Sequence, residues 1–488
     1  MHYRLPLLPF YLVILLLCCP NSVFALTDTE TLPMSLKNAV ELALASNLGL
    51  QLQKDEVEAA KGAALSARGK FDIYLETELG AKSQQLTPII SGGAEQEDTG
   101  SWNIEAAKTF TTGTALTLEW NNNRYDSDSA GLLFNPSHTS AVTLGVSQPL
   151  LKGFGNKVQT AELQAAQKQL EASSFQVDSE AANLAADVKG AYWNLVFAWQ
   201  DIEVQKLSLE LAQKLLEETE AKINAGKLAP VEIYQPQSEV ARREEQLISA
   251  ERAIGSAEDY LKLLLNSKDW LTTYQPTDQP TYEEIEVNPS TILENALQNR
   301  PDVKASNLIT EAAQIELIKA EDDIRPNLSL VGGVGIGGTD EDYDQSVSNS
   351  LSDPDNVWQV GVTFSVPLAN SAAKGYRQRA RANVNKARTS GEQLRQQVRR
   401  SVRTTIRDVK LALKALEATR KTSLATQKRL EAEQAKFASG RSTTLDVLAA
   451  QEAYSKALSQ QNLTNITYAN TLAELDRIQG LVTFTSAR

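Results

Sequence analysis

The chain has 488 residues, a formal net charge of −13 and 22% charged residues, a balance that argues against a polyanion-binding protein. Its two cysteines, Cys18 and Cys19, and one of its two histidines lie in the first 25 residues. That leaves His138 alone, which excludes histidine-based triads and the common zinc sites from the remainder. No catalytic residue, cofactor or metal site is expected, and the chain reads as a non-enzyme.

Residues 1–25 have the layout of a secretory signal peptide: Arg4, an apolar run from Leu12 to Leu17, then Val23-Phe24-Ala25 before a cleavage point. Lipidation at Cys18 or Cys19 is the alternative, but Leu17 stands where that processing wants a small residue. Cleavage after Ala25 removes Arg4, taking the charge from −13 to −14, and leaves no cysteine to form a disulfide. No later stretch approaches the roughly 18 consecutive apolar residues of a membrane helix, so any crossing falls to β-strands.

A first repeat is read over residues 26–265. It opens with a helix, Ser35–Ala67, followed by strands at about 71–150. Phe71, Ile73, Leu75 and Leu79 alternate with polar residues, as do Trp102–Phe110, Leu116–Trp120 and Val142–Leu150. Thr111-Thr112-Gly113 is a tight turn, whereas Gly80–Gly100 and Asn121–Ser140 read as long polar loops. Next comes a proline-free helix at about 156–225, with Ala181, Val188, Leu195, Ile202, Leu209, Leu216 and Ile223 spaced by seven. A helix at 230–265 completes the unit. Residues 266–288 form an equatorial linker whose Pro276 and Pro280 exclude a continuous helix.

The second repeat, 289–488, copies the first. It runs helix Pro289–Asp322, strands at about 327–367, helix at about 371–439, helix 443–479 and a short tail. Gly337–Val357 is its long loop. Leu44 onward aligns with Leu297 onward, Ala141–Leu150 with Gln359–Leu368, and Ile223–Val240 with Phe437–Tyr454. Gly226 thus falls on Gly440, Glu232 on Asp446 and Gln237 on Gln451. The two long helices would each measure about 100 Å, and paired half-length helices would match them.

Strands of 7–10 residues, joined by short turns at one end and long loops at the other, follow the outer-membrane pattern. Six strands cannot close a useful pore alone and an open edge is not tolerated in lipid, so a barrel shared among protomers is expected. The hairpin Trp102–Trp120 either joins that barrel or folds outside it, with inclusion preferred.

The doubled unit, QPLLKG and VPLAN at strand ends, NRPDVKA after the linker and FASGRSTTLDVLAAQEAY together resemble the TolC / outer-membrane efflux protein family. The resemblance covers nearly all of the chain beyond residue 25. It implies a mainly α fold with transmembrane β: a trimeric β-barrel continued by a long periplasmic α-helical coiled-coil barrel, with internal duplication. It further implies an outer-membrane exit duct of a tripartite efflux or type I secretion system. The partners would be two further copies, a periplasmic adaptor, an inner-membrane RND, ABC or MFS transporter, and outer-membrane lipid, without nucleic acid. The family usually contributes four strands per protomer; six here would close 18 in a trimer. The alternative reading is a structural coiled-coil protein bridging envelope layers.

The resemblance carries adaptor contact onto Gly226, Lys227, Glu232, Gln237, Gly440, Arg441, Asp446 and Gln451, at the helix–turn–helix tips. Asp446 and Glu232 are the aperture candidates, and Ala449 stands where some relatives have a second aspartate. Gly333, Gly335 and Gly338 match a phosphate-loop spacing, but Thr339-Asp340-Glu341-Asp342 follows instead of a helix. The basic run Lys374–Lys410 reads as a solvated helix face or as partner to acids such as Asp178, Glu180 and Asp187.

Overall fold

The computed structural model describes residues 31–88, 91–280, 285 and 288–480; the expected signal peptide lies outside them. A short strand, β1 (Thr31–Met34), leads into α1 (Leu36–Ser46) and α2 (Leu48–Gly69). Four strands follow: β2 (Ile73–Gln85), β3 (Gln96–Thr109), β4 (Ala115–Ser127) and β5 (Ser137–Pro149). Then come α3 (Asn156–Gln159), the rod α4 (Ala161–Asn224), a 3-10 turn at Pro230–Ile233, α5 (Tyr234–Leu264) and β6 (Thr273–Pro276). The second half holds α6 (Pro289–Asn299), α7 (Pro301–Asp322), β7 (Asn327–Asp340), α8 (Tyr343–Ser352) and β8 (Asp355–Ser365). It closes with the rod α9 (Ser371–Ala438) and α10 (Thr444–Ile478).

All six long strands form one antiparallel sheet in the order β2-β3-β4-β5-β7-β8. The hairpin of β3 and β4 is therefore part of the sheet, with β3 paired to β2 over Gln96–Lys108 and β4 paired to β5 over Ala115–Tyr125. Its turn is seated on the junction with the helices. Gly113 has φ of 94°, and a Cβ there would lie 2.6 Å from the Gly153 carbonyl oxygen. The strands run 11–14 residues, longer than their apolar segments, because their polar outer ends keep pairing. The expected long loops shrink accordingly, and the loop after β7 contains α8.

Side chains alternate across a strand, so the register sorts the sheet into two faces. One carries Ile73, Leu75 and Leu79, then Trp102 and Ile104, Leu116, Leu118 and Trp120, Val142, Leu144 and Val146. It continues through Leu330, Val334 and Ile336 to Trp358, Val360, Val362 and Phe364. The other carries Glu76, Glu105, Glu119 and Thr143 in a single rung, with Asn103 and Asn121 beside them.

The rods have the expected length, 64 residues in α4 and 68 in α9. α2 and α5 pack end to end along α4, which also holds α7 and α10; α9 packs on α10, α7 and α6. Two expected helices are each broken. The first stops at Asn47, whose side-chain carbonyl accepts from Leu50 N–H while its amide donates to the Leu264 carbonyl. Its duplicate stops at Arg300, ahead of Pro301. The linker, read only as non-helical, supplies β6, which pairs in parallel with β1 and belts the rod at mid-height.

Tyr192, fully buried on α4, ties that belt down. Its hydroxyl donates to the Met34 carbonyl or the Asp278 carboxylate and accepts from the Thr277 and Asp278 amides. Burial pushes its pKa up to about 12. Below it, Lys262 and Glu258 form a buried ion pair at 2.8 Å, with Lys262 also donating to the Trp270 carbonyl.

The basic run at 374–410 does not engage Asp178, Glu180 or Asp187 among the described residues. Arg381 instead pairs with Glu321 of α7 at 3.0 Å. Asp187 sits near Arg477, its pKa raised by burial.

Candidate functional site

The two helical hairpins, α4–α5 and α9–α10, end in matching turns. Lys227 N–H donates to the Lys222 carbonyl and Gly226 N–H to the Ile223 carbonyl. In the duplicate, Arg441 N–H donates to the Lys436 carbonyl and Gly440 N–H to the Phe437 carbonyl. Both glycines have φ of 72° and open space around them, so the left-handed backbone alone requires glycine there.

The returning helices start differently. In the first hairpin Pro230 opens a 3-10 turn and Glu232 lies in it, free of any side-chain cap. In the second, Thr443 and Asp446 form a capping box: Thr443 Oγ1 accepts from Asp446 N–H at 3.2 Å, and Asp446 Oδ2 accepts from Thr443 N–H at 3.1 Å. Hydrogen bonds from Thr443 hold the Asp446 carboxyl below its usual pKa. Glu433 is held low in the same way, first by Lys436 and then by Ser442.

The two tips are locked at one height. The Lys222 ammonium donates to the Phe437 carbonyl and lies 3.2 Å from the Phe437 ring centroid. Phe437 itself is buried with Leu215, Val447 and Leu448. Desolvation lowers the Lys222 pKa. Sequence reasoning missed this latch, since Lys222 reads simply as a basic residue in a helix's last turn.

Of the tip candidates, Gly226, Lys227, Glu232, Gln237, Gly440, Arg441 and Asp446 are exposed and gather at this one end. Gln451 is corrected: it is 3% exposed and donates to the Leu211 carbonyl at 2.9 Å, so it joins α10 to α4 and cannot meet another protein. Its alignment with Gln237 reflects the duplicated fold, not a shared surface.

The glycines of the phosphate-loop pattern lie within β7, and α8 rests on Gly338, where a Cβ would come 2.4 Å from Ser350 N. Among the described residues no group of His, Cys, Asp and Glu could hold a metal, and no helix is long and apolar enough to cross a membrane. Between α2, α4, α7 and α9 runs an open groove of about 1020 Å³ with a mixed lining, in which Gln53, Gln169, Gln176 and Asn383 alternate with Leu52, Ile309 and several alanines.

The family model for outer membrane efflux proteins matches residues 114–267 and 292–481. The chain belongs to this family. It is 22% identical over 322 residues to outer membrane protein TolC of Vibrio cholerae, covering 66% of this chain and 72% of that protein. It is likewise 22% identical over 315 residues to TolC of Escherichia coli, covering 62% of each. Among solved structures, outer membrane protein VceC of Vibrio cholerae superposes with a TM-score of 0.68 at 16% identity, covering 91% of this chain and 96% of that one. The family's architecture accounts for both halves of the molecule, with rods and sheet forming a TolC-like fold.

Proposed function

We propose that three copies of this chain form an outer-membrane exit duct that carries substrate outward from a periplasmic adaptor and an inner-membrane pump. The observation that carries this reading is the apolar face of the sheet. It is continuous across all six strands and, apart from its outer end where α8 lies against it, bare: Leu79 is 85% exposed, Trp358 76% and Val360 72%. From Leu328 to Ile336 the band measures about 26 Å along the strand, near the height of an outer-membrane apolar belt. Trp102, Trp120 and Tyr343 cluster near its outer end, where aromatic residues favour the interface.

The opposite face must be wet. Glu76, Glu105 and Glu119 stand directly across from one another, an arrangement that like charges tolerate only where water screens them. β2 pairs only with β3 and β8 only with β7, leaving both outer edges open among the described residues. These edges run antiparallel, so β2 of one copy can pair with β8 of the next. Six strands from each of three copies would close a barrel of 18. Below it, the rods would continue the bore in the periplasm.

The exposed tip residues Gly226, Lys227, Glu232, Gln237, Gly440, Arg441 and Asp446 face the adaptor in this scheme, with Glu232 and Asp446 nearest the aperture. Three copies of each acid favour cations. The test is reconstitution of detergent-extracted mature protein into planar bilayers. Stepwise cation-preferring conductance, weakened in preference by Asp446→Asn, is expected. A monomer that stays in the aqueous fraction and conducts nothing would overturn the reading.

A further inference from the structure

The rod α9 holds 18 Lys and Arg against 5 Asp and Glu, a net of +13 in a chain whose total is −13. Its buried residues recur by sevens, as in Val384, Gly391, Val398 and Thr405, and again four residues later in Val402, Val409 and Leu416. A Lys or Arg also recurs every seven residues from Arg379 to Lys428, interrupted only at Gln393, and each is exposed. This series sits two residues after the first buried one, on the side of the helix opposite the packed face. Because α6, α7 and α10 occupy that packed face, the cationic line points away from its own chain for about 75 Å.

The other flank of the helical layer is α2 followed by α5. The outward side of α5 bears Glu244, Glu245, Glu251 and Asp259, all exposed, with Arg252 the one opposing charge among them. Ile248 and Leu263 are also bare there, 60% and 62% exposed.

We infer that α5 of a second copy docks on the cationic line of α9, so that charge holds neighbouring subunits together along the lower tunnel. The inference rests on the duct reading and adds which side chains form the seam. Heights agree with it. The Lys222 latch keeps the two tips level, and Glu244 and Glu245 lie about 10 residues above the start of α5, as Lys428 lies about 10 above the end of α9. Asp259 and Lys414 are both about 25 residues up. Continuity agrees as well, because α2 leads into β2 and β8 leads into α9, putting the open sheet edges on the same two flanks. Lys414 and Lys421 make no ion pair within their own chain among the described residues.

The experiment uses the mature protein, which has no native cysteine, carrying Asp259→Cys with Lys414→Cys. The two positions lie on opposite flanks of one chain, so oxidation is expected to link separate chains into covalent dimers and trimers. Asp259→Cys with Lys386→Cys, at different heights, is expected to stay unlinked. In the unmodified protein, raising salt from 0.01 to 1 M shortens the Debye length from about 30 to about 3 Å, and subunit dissociation on heating is expected to begin at lower temperature. A conducting protein that neither cross-links at 259/414 nor loosens in salt would overturn the seam. Absence of any conducting oligomer would overturn the duct reading beneath it.

Discussion

Gly226 and Gly440 owe their identity to one backbone angle, and nothing crowds the space a side chain would fill. Gly440→Ala is therefore expected to cost about 1–2 kcal/mol, confined to the tip, and seen as faster amide exchange in residues 436–446 with the rods unchanged. Hydrogen bonds from Thr443 hold the Asp446 carboxyl below the usual aspartate range, so its capping contribution is complete above the ordinary aspartate pKa and fades as pH falls through the lowered value. Tip protection should weaken in acid below about pH 4, and Asp446→Asn should flatten that dependence; an unchanged profile would separate Asp446 from the cap. The glycines were legible because the duplication set them side by side. Gln451 was not, because the same alignment cannot tell an exposed helix face from one packed on α4 at Leu211.

At the scale of elements, the heptads of α4 and α9 predict rods because a seven-residue apolar period has few other physical outcomes. The break at Arg300 was written in the sequence by Pro301, which forces the residue before it out of the helix, whereas nothing local compels the one at Asn47. Asn47 becomes a cap only when the Leu264 carbonyl, distant in the chain, takes its amide. Strand ends were likewise hidden. Alternation stops where β2 and β4 turn polar, yet pairing continues for several residues on backbone bonds alone. The two faces of β4 yield a sharp contrast. Leu118→Arg, on the apolar face, should cost about 2–4 kcal/mol, read as lower yield of folded protein in membrane extracts. Glu119→Gln, one residue on, should fold normally and reduce cation preference in bilayers.

At the scale of the whole molecule, the single chain leaves surfaces that a lone soluble protein would cover. Among the described residues it exposes an apolar sheet face, two open strand edges and a cationic rod flank, each costly in isolation, and the proposed trimer in lipid would cover all three. Single-sequence reasoning reached the architecture because duplication, rods and alternating strands agree with one another. It left open whether the hairpin Trp102–Trp120 joins the barrel, since pairing on both of its sides is a property of tertiary register. The most direct measurement is an electron-microscopic reconstruction of the detergent-extracted mature protein, counting barrel strands. Three-fold symmetry with 18 strands, β2 of each copy paired to β8 of the next, is the predicted result. A barrel of 12 strands with residues 96–127 outside it, or a lone chain with no barrel, would contradict the account.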